Sequence, residues 1–185
     1  MAKLMRCKAC GFTTLESQIK HVCDACGMPK AVFEEYKETI SAKRKRILDL
    51  HLHPIAVHFP QAIASLIPLL ILAGLVLDQR LAAELLTTVK VLVVPLPFFV
   101  LGACFVGLID GKTRFKKLAT PLLIRKIVLS VVLLVLSTVM CILVLVSGLE
   151  SGIRFVVLVL SLGCIGCEML LGNIGAKLMY AQLKG

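Results

Sequence analysis

Apolar and polar positions divide this chain into two unlike parts. Up to about residue 52 they are mixed, and no apolar run is long enough to build a core. Beyond that point four long apolar runs follow one another: Pro54–Leu77, Val89–Ile109, Ile127–Ser147 and Ile153–Ala176. At about 1.5 Å per residue the first run reaches roughly 36 Å as a helix, enough to cross a bilayer. Four membrane-spanning helices are therefore predicted. Pro54 suits a first helical turn, while Pro60 and Pro68 should kink the helix they interrupt. Pro95 and Pro97 in "VVPLPFF" should break the second span.

Composition agrees with that division. The chain has 185 residues, of which 58% are hydrophobic and only 17% charged. The opening "MAKLMRCKAC" lacks the apolar stretch of a signal peptide, which puts the chain's start on the cytosolic side. The net charge is +10, but the basic residues flank the apolar runs. That placement reads as topology and anionic headgroups rather than nucleic acid, which is not expected as a partner. One side carries twelve basic residues: 43–46, Lys112, Arg114, Lys116, Lys117, Arg125, Lys126, Lys177 and Lys184. The other has three: Arg80, Lys90 and Arg154. Both termini are thus expected in the cytosol, in the cytoplasmic membrane of a prokaryote.

The expected domains are a metal-binding module over 1–38, a basic linker over 39–52 and a transmembrane domain over 53–180. Within "FEEYKETISAKRKRILDL" the i,i+3 pair Glu34 and Lys37 favours a helix that ends in the basic collar 43–46.

Four of the eight cysteines, Cys7, Cys10, Cys23 and Cys26, form C-x2-C-x12-C-x2-C. Such spacing on the reducing side points to a metal rather than disulfides. Each pair, "CKACG" and "CDACG", places two thiolates on one side of a tight turn. The following glycine takes positive φ, so that backbone N–H groups aim at sulfur. The product is a tetrahedral S4 site, suited to iron or zinc. A module this short also needs such a staple to fold.

"CKACGF" followed by "CDACGMPKAVFEEY" resembles the rubredoxin-like module at the end of rubrerythrins, which reads C-x-x-C-G-aromatic and then C-P-x-C-G-x-P-K-x-x-F. Phe12, Gly27, Pro29, Lys30 and Phe33 fall on that pattern, and Asp24 stands where the family has proline. The resemblance covers about residues 5–36. It implies a mononuclear iron centre that passes one electron, fed by a ferredoxin or a rubredoxin reductase, with zinc as the alternative. The rubrerythrin di-iron part is missing: the chain has no E-x-x-H. An electron carrier rather than an enzyme is expected.

"HPIAVHFP" resembles the opening of a family of four-span bacterial membrane domains of unknown function with the motif H-P-x-x-V-H-F-P. His53, Pro54, Val57, His58, Phe59 and Pro60 carry the match. Some members are fused to or neighboured by redox domains.

Ionisable residues within spans are candidates for function. Three readings stand for His58: a haem or metal ligand, a proton carrier beside a quinone, or a structural bond to a neighbouring helix. His53, His58, Glu168 and Asp110 all fall on the cytosolic half. They are expected to form a polar pocket, with Glu168 paired to His58 or Arg114. Cys164 and Cys167 in "CIGC" are read first as packing residues and second as a redox pair, and Cys104 and Cys141 as packing. Ser161, Cys164, Glu168, Gly172 and Gly175 form a small-residue helix face that permits close helix approach, and a homo-oligomer is open.

The expected architecture is a membrane all-α protein: a four-transmembrane-helix bundle behind a small rubredoxin-like, zinc-ribbon-like knuckle domain. The expected function is one-electron transfer at the cytosolic face, to a quinone or haem in or near the bundle. The alternative is a zinc-ribbon interaction or assembly factor.

Overall fold

The computed structural model describes residues 3–37 and 40–179. Lys184 and the expected domain junction at 38–39 lie outside them. The chain divides into two compact units that meet between Ala42 and Lys43.

The first unit is a three-stranded antiparallel sheet with two turns. Strands β1 (Leu4–Cys7), β2 (Thr13–Leu15) and β3 (Phe33–Glu35) lie in the order β2-β1-β3. Met5 stands opposite Thr14 on one side and Glu35 on the other. Among the described residues of this unit only Cys7, Ile19 and Cys23 are buried. The helix expected around Glu34 and Lys37 is absent. Glu34 belongs to β3, where it faces Arg6 across the ladder and pairs with Lys8 at 3.8 Å. Pairing with β1 supplies the backbone partners that an isolated turn of helix could not keep.

The second unit is helical: α1 (Ala42–Asp49), α2 (Leu52–Val76), α3 (Gln79–Val93), α4 (Leu96–Phe115), α5 (Pro121–Ser147) and α6 (Ser151–Met179). Together they make four segments long and apolar enough to cross a membrane. The basic linker expected over 39–52 does not stand apart, because α1 belongs to this unit. Leu48 is buried, and Arg44 donates to the Thr113 and Arg114 carbonyls at 3.0 and 3.1 Å. Those are carbonyls that the end of α4 leaves unpaired. The chain turns from α1 into α2 at His51, whose φ of 48° is left-handed.

The core joins α2, α3, α4, α5 and α6 through Ile67, Ile71, Val89, Val93, Leu96, Met140, Val157 and Cys164, all at most 1% exposed. In each span only 28% of the apolar window is buried, and many large apolar side chains are exposed. A soluble helix shows the reverse, an apolar stripe inside and a polar face outside. α2 runs through Pro60 and Pro68, both buried.

Prolines interrupt the second span where the sequence expects it. α3 gives way to α4 across Val94 and Pro95, and the Phe98 and Phe99 amides both bond to the Pro95 carbonyl at 3.1 and 3.2 Å. The Cys141 thiol on α5 lies 3.7 Å from the Val94 carbonyl and donates to it. An apolar surrounding makes an unpaired carbonyl costly. Cys141, expected as packing alone, thus also serves the break. Cys141→Ser should unfold within a few degrees of wild type in detergent, whereas Cys141→Ala should lose about 1 kcal/mol.

Candidate metal centre

β1 ends on Cys7 and hands the chain to the first turn. There the Cys7 amide bonds to the Phe12 carbonyl at 2.8 Å, and the Gly11 amide to the Cys7 carbonyl at 2.8 Å. The second turn repeats both bonds: Cys23 amide to Met28 carbonyl at 2.7 Å, and Gly27 amide to Cys23 carbonyl at 2.8 Å. Gly11 and Gly27 hold φ of 79° and 72°, as the position after each second cysteine demands. A bridge between Val22 and Pro29 closes the second turn. The Lys8 amide bonds to the Val32 carbonyl at 3.1 Å and ties the first turn to the segment behind the second.

The two turns bring four sulfurs together, all within 4.8 Å of one another. Cys7 lies 3.8 Å from Cys26, and Cys10 lies 3.8 Å from Cys23. Metal–sulfur bonds of about 2.3 Å set tetrahedral corners about 3.8 Å apart, so these two edges are already at the spacing an S4 site needs. The pairs cross between turns, and one ion at the centre would tie both turns together. Cys7 and Cys23 are buried, and Cys10 and Cys26 are exposed.

Electrostatics at the cluster is divided. Burial pushes the Cys7 thiol up, but the Cys10 and Ala9 amides and the Cys10 and Cys26 sulfurs outweigh it and bring it down to about 7. At Cys26 the Met28 amide pulls downward. The Cys10 sulfur, burial, and the Cys23 and Cys7 sulfurs prevail and push it up to about 12. Four thiolates this close repel one another unless a cation sits among them. The donor set and spacing fit a thiophilic ion, iron or zinc alike.

Of the residues expected in a membrane pocket, His53 and Asp110 lie within electrostatic reach of one another, while among the described residues no bond ties His58 or Glu168 to them. His53 Nε2 lies 2.9 Å from Lys126 Nζ, and its Nδ1 is buried without a hydrogen-bond partner. Its ring rests on Gly107, where an added Cβ would come within 2.9 Å of Cε1. Asp110 accepts from Arg114 Nε at 2.9 Å. His58 is exposed. Glu168 is 7% exposed and its Oε1 has no partner; it makes neither the expected bond to His58 nor the one to Arg114. Cys164 and Cys167 stand beside it, buried, as free thiols. On the small-residue face of α6, Ser161, Cys164 and Glu168 are buried, while Gly172 is exposed.

The roles of Lys126 and Arg44, read in the sequence only as topology charges, and of Gly107 carry no local signal. The Asp110–Arg114 pair was missed, though its i,i+4 spacing is a local signal that could have found it.

No protein family, no curated protein and no solved structure matches this chain.

At Gly27 a side chain would meet nothing within 4 Å, so only the backbone opposes substitution. Gly27→Ala should cost about 1 kcal/mol and loosen metal roughly fivefold in competition with a chromogenic chelator. Gly102→Ala, equally open and without a positive φ, should leave metal affinity unchanged. Stripping the ion should open the first unit to trypsin at Lys8, Lys20 and Lys30. The helical content of the second unit should persist in the same sample by circular dichroism.

Proposed function

We propose that the chain is a membrane-anchored one-electron carrier whose iron is held by Cys7, Cys10, Cys23 and Cys26. The observation that carries this reading is the cluster itself: four sulfurs within 4.8 Å on two turns with the same hydrogen bonds. The likeness to the rubredoxin-like module favours iron. Bound there, iron would supply a ferric–ferrous couple.

The chain's own residues have three tasks in this reading. The turns hold the sulfurs so that little rearrangement accompanies a change of charge. Amides of Ala9, Cys10 and Met28 aimed at sulfur stabilise negative charge on the ligands. Exposed Cys10 and Cys26, with the half-exposed apolar Phe12 and Met28 two residues beyond them, offer a path to a docking partner such as a ferredoxin or a rubredoxin reductase.

The helical unit anchors the carrier in the cytoplasmic membrane of a prokaryote with both termini cytosolic, a placement supported by the charge asymmetry of the loops. A quinone or a haem in or near that unit would take the electron. His53 offers little to such a group, since its nitrogens face Lys126 and the protein interior. Exposed His58 is the histidine better placed for one.

The second reading is a zinc-bearing interaction or assembly factor, favoured by the same S4 donor set and by Asp24 in place of proline. Metal analysis with an optical spectrum separates the two. The iron protein should be red, with thiolate-to-iron absorption that bleaches on reduction. One zinc per chain in a colourless protein defeats the carrier reading.

A further inference from the structure

The end of the helical unit that carries α1 gathers charge from four helices. Arg44 of α1 caps the last carbonyls of α4, and Arg114 of α4 is bonded to Asp110. Lys126 of α5 meets His53 of α2. Arg114 and Asp110 are only 21% and 22% exposed, and Lys126 is half-buried. An ammonium can only donate, so His53 accepts at Nε2 and carries its own proton on Nδ1. Gly107 makes this arrangement feasible by letting the ring lie against α4.

Lys126 spends one of its three N–H groups on His53. Among the described residues no carboxylate lies within 4.0 Å of it. Asp110 is within electrostatic reach, but it is engaged by Arg114, whose remaining guanidinium N–H groups point to no other carboxylate. Two cations, Arg114 and Lys126, thus share one carboxylate, Asp110, among the described residues in a half-buried setting. Positive charge withdrawn from water is costly without a counter-anion. The cluster lies at the end of spans whose exposed side chains are apolar, where the abundant anion is a lipid headgroup. Basic pockets between spans take acidic headgroups on the same grounds.

We propose that Lys126 and Arg114, with Lys126 oriented by His53, form a binding site for the phosphodiester of an acidic phospholipid. Lys126 supplies its two unused N–H groups as a point charge, and Arg114 supplies a planar donor fork. This inference rests on the membrane reading of the helical unit and is independent of the metal at the cysteines.

The test uses the full chain, delipidated in detergent and reconstituted in nanodiscs of phosphatidylcholine with and without phosphatidylglycerol. Phosphatidylglycerol should raise the unfolding midpoint of the wild type by about 3 °C or more. Lys117→Gln, which removes the same charge from an exposed site, should keep that rise, and Lys126→Gln should lose it. An equal rise in all three proteins overturns the site, leaving only diffuse surface charge. An equal rise with inorganic phosphate in detergent overturns the lipid as ligand. Should Lys126→Gln not fold, native mass spectrometry of the wild type decides. Retention of one phosphatidylglycerol through delipidation upholds the site, and equal retention of phosphatidylcholine overturns it. A chain that does not enter nanodiscs at all removes the membrane reading itself. Entry without lipid preference removes the site alone.

Discussion

Mutual repulsion among four sulfurs is the constraint on which the first unit depends. Its described residues bury only Cys7, Ile19 and Cys23, so two of the three members of its interior are themselves members of the cluster. Apolar burial on that scale cannot offset the entropy of ordering some thirty-five residues, at about 1 to 2 kcal/mol each for the backbone alone. The sheet is correspondingly slight, with strands of four, three and three residues. A cation at the centre would convert the repulsion into attraction and make the interior a bonded core rather than a packed one. Hydrogen bonds across the two turns then set ligand geometry, and the sheet holds the turns in register.

The second unit answers to a different constraint. In a bilayer, for which its four segments are long and apolar enough, water would not be at hand to satisfy the backbone, so each interruption of a helix needs a partner from the protein. The unit supplies them singly. Arg44 takes the carbonyls at the end of α4, and the Cys141 thiol takes the Val94 carbonyl at the proline break. Glu168 Oε1, His53 Nδ1 and Arg154 Nε are exceptions, buried polar atoms with no hydrogen-bond partner among the described residues.

How much of this could be read beforehand depended on how local each signal was. The four spans follow from run length, and the interruption at Pro95 from a residue that cannot donate. The gathering of the four cysteines follows from C-x2-C spacing and the glycines after it, because each turn is determined within six residues. Apart from the Asp110–Arg114 pair, the failures concern partners far apart in the chain. Glu34 looked helical beside Lys37, yet its position is decided by β1, some thirty residues earlier. For His53 and Glu168 the rotation about each helix axis, which a linear pattern does not carry, decides whom they meet. His53 meets Lys126, which is 73 positions away and had been counted only as topology charge.

The cluster is also unequal in its exposure, with Cys7 and Cys23 covered and Cys10 and Cys26 open. Each turn gives one sulfur of either kind, so the inequality belongs to the shared architecture of the turns rather than to one side of the unit. Peroxide, a chelator or a competing soft metal must therefore arrive over Cys10 and Cys26. Damage would begin with those two sulfurs while Cys7 and Cys23 still held the ion. The site would wear from its outer edge inward, so the exposure of Cys10 and Cys26 would limit its lifetime in an oxidising cell.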